Sequence, residues 1–507
     1  MATMVIVVNG QAVERKYGDR AREIWGAVDD LIAAHAGREI NTQLVKLDDP
    51  EIPGEGEPLP SDPDGSAVKD AIDGVFGALK PDYLMLLGGP DLLPHCELEN
   101  PAGDDGDAIV PSDLPYACDA AASTQAADFL APTRVVSRLP DVPGATEPDV
   151  LLEELGFATS WQSRDRQQYG PYLGITAEVW EGSTRLSLTQ LYGNASQMEI
   201  SPPDGPGFEE AVLDRLSHFA NLHGAPGSTQ YFGQQGTSYP VAHDAAVVEG
   251  ELEEGSVAAV EACYGAELFE PNGQLGMPFA YLRSGAYGFF GSTTIAYGPS
   301  DGNDFADVIC RLFQASILKG ASVGRAGLEA RQEYVVQAAP LDPIDLKTLA
   351  QFLVLGNPAV QPVLAGSHDV PQVSAMEGGG AAAAPAPHSA GVPERRRSLR
   401  SKGEALGEVA SWAEPLEGEP EARIVEALRE LSGIRDAGET KVSSFALRGG
   451  AQSHAKALTA DGPAEPATMH LLMQQVKVEE APMAQRVAVV AVERDGQLVS
   501  AKTAVSR

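Results

Sequence analysis

His218-Phe219-Ala220-Asn221-Leu222-His223-Gly224 and Val257-Ala258-Ala259-Val260-Glu261-Ala262-Cys263 are two short, mainly apolar runs that each stop at a reactive side chain. Runs of this length, closed by small residues, predict buried strands, and buried strands separated by helices predict a parallel sheet covered on both faces. In such a sheet, ligands and catalytic groups collect beyond the carboxyl ends of the strands. His223 and Cys263 both stand there, and the 39 residues between them leave room for one crossover. A thiol is a strong nucleophile only as the thiolate, and a nearby imidazole can take its proton and return one to a leaving amine. Gly224 lets the main chain approach a substrate closely, and its N–H, with that of Cys263, suits an oxyanion hole for a tetrahedral intermediate. A lone cysteine is usually a small buried hydrophobe, so the acyl-transfer reading rests on the pair and not on either residue.

Outward from this pair the chain alternates strands and helices. Met4–Val8, Tyr83–Leu87 (ending at Gly88-Gly89-Pro90) and Thr133–Pro140 predict strands, and Arg20–Ala34 and Ala67–Leu79 predict helices. These make a first α/β unit over residues 1–145. A second, over 146–366, has helices at Val150–Gln168, Gly207–Ser217, Phe305–Lys319 and Val323–Gln337, with further strands at Leu173–Trp180, Tyr287–Gly291 and Phe352–Leu355. Between 367 and 405 a glycine triplet at 378–380 and an Ala/Pro run predict a flexible linker, which carries the one dense basic cluster, Arg395, Arg396, Arg397, Arg400 and Lys402. Residues 406–507 predict a small α+β domain: a helix over Glu421–Leu431, then strands at Lys441–Leu447, Met469–Val478, Arg486–Val492 and Gln497–Ala504, the last two joined at Asp495-Gly496.

Charge and cysteine usage narrow the function classes. The 507 residues include 72 acidic and 36 basic side chains, a formal charge of −36 that repels phosphate backbones and argues against nucleic acid as a partner. No apolar stretch reaches membrane-spanning length, and Met1–Val8 lacks the features of a secretory leader, so a cytoplasmic protein without membrane partners is expected. Cys96, Cys118, Cys263 and Cys310 form no CxxC pair and no disulfide framework. Asp104-Asp105-Gly106-Asp107 and Asp301-Gly302-Asn303-Asp304 offer oxygen ligands for a structural calcium but lack the twelve-residue loop spacing, so no metal and no cofactor is assigned.

The order apolar strand, His-Gly, apolar strand, Glu-Ala-Cys resembles the caspase-like cysteine peptidases, and the gingipain branch most of all. The resemblance runs over roughly residues 80–365. It includes the turn at Leu87–Asp91, Asp113-Leu114-Pro115-Tyr116, Val136–Pro140, Arg283-Ser284-Gly285-Ala286 before Phe289–Ser292, and Leu355-Gly356-Asn357-Pro358. It implies two adjacent α/β/α sandwiches, the first degenerate and supporting, the second catalytic. It implies His223 as general acid and base, Cys263 as nucleophile and the Gly224 and Cys263 amides as oxyanion hole. Glu261, two residues before the cysteine, would lie at the specificity pocket, and a carboxylate there pairs with Arg or Lys at the scissile position. Protein or peptide substrates follow, with cleavage in the 395–402 cluster, by the enzyme itself or by an upstream activating protease, as a means of control, and an inhibitor as a further partner. The competing reading is a catalytically silent caspase-like scaffold acting through its C-terminal domain. A nucleotide site at Gly88-Gly89 lacks any phosphate-loop pattern.

Overall fold

The apolar runs do form strands, and ten of them share one sheet. A computed structural model of the chain describes residues 1–103, 105–270, 273–300, 302–364, 392–434, 438–449, 467–478 and 481–507. In chain order the sheet strands are β1 (Ala2–Val8), β2 (Ile40–Lys46), β3 (Tyr83–Leu87), β4 (Val136–Leu139), β5 (Tyr172–Ala177), β6 (Met198–Ser201), β7 (Ser217–Asn221), β8 (Val257–Glu261), β9 (Gly288–Ser292) and, after a two-residue strand β10 (Tyr297–Gly298) that belongs to another sheet, β11 (Phe352–Leu355). Their spatial order is β2-β1-β3-β4-β11-β9-β8-β7-β5-β6. Every neighbouring pair is parallel except β9 with β11. The two α/β units expected from the sequence are therefore two halves of a single sheet that run in opposite directions. Phe352–Leu355, expected within the second unit, stands at the seam and also pairs with β4 through Leu355 and Arg138.

Helices cover both faces, which explains why β3, β4, β5, β7, β8 and β9 are buried along their whole length. The helix expected over Gly207–Ser217 shrinks to Glu210–Leu213, because the backbone is still extended at Glu209 and Ser217 already belongs to β7, paired on both sides. A helix over Pro343–Gln351, unmarked by the sequence reading, opens with a capping box between Asp342 and Asp345.

Beyond the sheet the reading changes more. Residues 367–391 of the expected linker lie outside the described residues, but Val392–Val409 is a helix, so the basic cluster is not in a flexible segment. Its cations have partners that favour this: Arg400 pairs with Glu404 one turn on, Arg396 donates to the Lys80 carbonyl at 2.5 Å beside Asp82, and Lys402 reaches Glu333 at 3.0 Å. The C-terminal residues form β12 (Ser411–Pro415), β13 (Thr440–Gly449), β14 (Thr468–Val476), β15 (Gln485–Arg494) and β16 (Gln497–Ser506). They join β10 in a second, antiparallel sheet of order β10-β16-β15-β14-β13-β12. Ile424 and Leu428 of the helix Ala422–Ser432 cover one face over Leu472, Val489 and Ala491. The other face packs Phe445, Met469, Met473 and Val490 onto Ile295, Tyr297, Phe305 and Ile344 of the main body. Among the described residues no helix is long and apolar enough to cross a membrane.

Candidate active site

The parallel register of β7 and β8 brings the two reactive residues to adjacent strand tips. Asn221 lies opposite Glu261, and the Leu222 N–H donates to the Glu261 carbonyl at 3.1 Å, so His223 and Cys263 leave the sheet at matching positions. Gly224 then passes so close that a Cβ on it would sit 1.8 Å from the Cys263 carbonyl oxygen. Any larger residue would force the two strand ends apart. Immediately after Cys263 the chain turns through Tyr264 with φ of 55°, a left-handed conformation that is costly for a tyrosine. It is held by the Tyr264 N–H on the Thr294 carbonyl at 3.0 Å and by its hydroxyl on Asp107 at 2.5 Å. The turn aims the Cys263 and Gly224 amides at a single oxygen, the carbonyl of Arg507, at 3.3 and 3.5 Å.

The Arg507 side chain fills a buried pocket beyond the carboxyl ends of β5, β7 and β8. Its Nη2 donates to both carboxylate oxygens of Asp307 at 2.9 Å each and to the Pro299 carbonyl at 3.1 Å. The guanidinium carbon lies 4.3 Å from the ring centre of Trp180, a cation–π contact. Asp307 stands in the first turn of the helix Ala306–Leu318, where the helix dipole favours an anion, and accepts further bonds from Ser183 at 2.5 Å and Asn221 at 3.4 Å. Gly298 forms the remaining wall, since a Cβ there would sit 2.0 Å from Nη2. Glu261, expected to bind the basic side chain, is buried next to Asp307, and its carboxyl oxygens make no hydrogen bond to the Arg507 guanidinium. Burial, and then the neighbouring Asp307 charge, push its carboxyl well above the usual range, which favours the protonated form. The ion pair with arginine belongs to Asp307.

Neither reactive side chain is free. Cys263 is fully buried and its Sγ donates to the Ala296 carbonyl at 3.6 Å. The His223 ring packs 4.3 Å from Trp180 and 5.1 Å from Tyr239, centre to centre. Its Nε2 lies 2.7 Å from Gln234 Oε1, and its Nδ1 takes the Gln485 amide at 3.2 Å, an arrangement that fits the Nε2–H tautomer. Burial pushes the Cys263 thiol up to about 12 and the imidazole down to about 3, so both are neutral near pH 7. Because only thiolate is alkylated, a raised thiol pKa means less reactive species at any given pH. Modification of Cys263 by iodoacetamide in the folded chain, followed by peptide mass spectrometry, is therefore expected to be slow at pH 7 and to keep rising beyond pH 9. A plateau by pH 8 would show an ionised, open thiol instead.

Asp307, Trp180, Gly298, Gln485 and Arg507 escaped the sequence reading. Leu173–Trp180 reads as a strand, which gives the Trp180 ring no role, and nothing in the sequence near Asp307 or Arg507 marks either as a partner of the other. The acidic loops have another occupant: Asp105 and Asp107 hold the buried Lys347 ammonium at 2.5 and 2.6 Å, while Asp104 and Asp301 lie outside the described residues. Cys96, Cys118 and Cys310 are buried; Cys310 lies one turn beyond Asp307 on the helix Ala306–Leu318, where burial, and then the Glu261 and Asp307 charges, push its thiol well above the usual range.

No family model matches the chain, and no curated protein matches it. One solved structure, named "Structure of Protease", is similar over 99% of this chain and 96% of its own, with a TM-score of 0.47 and 12% sequence identity, a likeness too distant to carry an argument about activity.

Proposed function

We propose that the chain is a caspase-like cysteine endopeptidase that cleaves after arginine. The observation that carries this is an arginine seated on Asp307 while its own carbonyl oxygen faces two main-chain amides beside a cysteine. A substrate arginine in the same place presents its carbonyl carbon to Cys263. In this reading His223 takes the thiol proton, the sulfur adds to the carbonyl, and the Gly224 and Cys263 amides hold the oxyanion. The imidazolium then protonates the leaving amine, and water hydrolyses the thioester with His223 as base. Arginine suits the pocket better than lysine, because a flat guanidinium stacks on the Trp180 ring while its Nη2 meets the carboxylate.

The silent-scaffold reading draws on the complete burial of the Cys263 sulfur. Prolonged exposure to an arginyl acyloxymethyl ketone separates the two. Such a probe should accumulate on Cys263 of the full chain and fail to do so in His223→Ala. Absence of Cys263 modification in both wild type and Arg507→Ala, with the fold intact by circular dichroism, would reject the peptidase. Control by cleavage at 395–402 would first require the helix Val392–Val409 to unwind, so the cluster is a poor processing site in this state.

A further inference from the structure

We propose that the antiparallel C-terminal sheet is a tethered inhibitor of this cleft, with β16 lying where a substrate strand would lie and Arg507 as its pocket residue. The proposal rests on the reading of the cleft as an arginine-taking peptide site and adds how that site is kept shut.

Backbone, side chain and base are each engaged by one end of the β15–β16 hairpin. Ser506 and Val505 pair antiparallel with Tyr297 and Gly298 of β10, and the Arg507 N–H donates to the Ala296 carbonyl at 2.9 Å. Addition of a strand to a free edge is how many peptide sites read an extended ligand, the main chain supplying affinity and the pockets specificity. The side chain supplies the specific element through Asp307 and Trp180. Gln485, at the start of β15, caps the His223 nitrogen on which a base depends. A ligand that took only the pocket would leave the base free, and a chance surface contact would not meet both amides.

Two features hold the segment in place. Nine residues of β15 and β14 pair in continuous register, and β16 extends the same sheet. The inner face of that sheet is packed on the main body. A segment anchored this way meets the pocket at an effective concentration in the millimolar range, so a peptide of ordinary affinity competes poorly. The geometry also defines the substrate: an extended segment that pairs with β10 and ends in arginine at the scissile position.

Binding tests the proposal without turnover. In the Cys263→Ala background, a fluorescent Ala-Val-Ser-Arg amide should bind Arg507→Ala at least about tenfold more tightly than the chain that retains Arg507, as loss of a tethered competitor requires. Unlabelled Ala-Val-Ser-Arg should compete in trans. Equal affinity with and without Arg507, or no binding to either, overturns the inhibitor. Arg507→Glu, which keeps a long polar side chain but repels Asp307, gives the same readout should the alanine variant fold poorly. Tighter binding in Arg507→Ala without hydrolysis when Cys263 is restored would uphold the tethered inhibitor and reject the peptidase.

Discussion

In an Arg507→Ala background, Asp307→Asn is expected to lower kcat/KM for arginyl reporter peptides by roughly two to three orders of magnitude, the cost of about 3–4 kcal/mol that attends removal of one partner of a buried ion pair. Glu261→Gln should change it by less than about threefold, since a carboxyl shifted toward its protonated form is closely matched in shape by an amide. The contrast follows from charge. Two buried carboxyl groups and one guanidinium share the pocket, the Glu261 carboxyl is shifted toward its protonated form, and it is the Asp307 oxygens that touch Nη2. Asp307→Asn removes the contacting anion, and Glu261, whose oxygens make no hydrogen bond to the guanidinium, does not replace that contact. Steady-state kinetics with Arg and Lys reporters decides the matter: equal losses in the two variants, or a larger loss in Glu261→Gln, would return the specificity role to Glu261.

That inversion shows what one dimension could and could not convey. The tips of β7 and β8 were legible because a strand that ends in His-Gly and another that ends in Ala-Cys are local patterns, and parallel pairing places consecutive tips side by side. Glu261 was singled out by the same local logic, from its position two residues before the cysteine. Which carboxylate meets the ligand depends on where the helix Ala306–Leu318 crosses the sheet, and no spacing in sequence encodes that crossing. The basic cluster failed for a related reason. Five cations among Gly, Ala and Pro resemble an exposed tether, yet Asp82, Glu333 and Glu404 supply carboxylates at the distances that stabilise a docked helix. The single ten-stranded sheet was hidden because Phe352–Leu355 reads the same whether it closes its own unit or bridges to β4. The cover over the site was least visible of all, for the β15–β16 hairpin predicts itself but not the edge strand that it will join.

Gly224→Ala is expected to abolish hydrolysis of every substrate, with kcat down by about a thousandfold, the upper range for loss of one oxyanion donor. The added Cβ would meet the Cys263 carbonyl oxygen at 1.8 Å and the Cys263 nitrogen at 3.2 Å, and both are main-chain atoms that no rotamer change can move aside. The strand tips must separate, so the two amides can no longer converge on one oxygen. Gly298→Ala supplies the comparison, because its Cβ would strike only the guanidinium of the pocket residue, at 2.0 Å from Nη2. It should therefore weaken arginine binding and raise KM while the amides and the sulfur keep their places. The two glycines thus test separate parts of the site: one the stabilisation of the transition state, the other the fit of the side chain. Because the strand tips are also structural, thermal unfolding of Gly224→Ala must be followed alongside kinetics, at temperatures where the fold persists. A folded Gly224→Ala enzyme that kept most of its kcat would remove these amides from the mechanism, and with them the argument that the Arg507 carbonyl marks the reacting position.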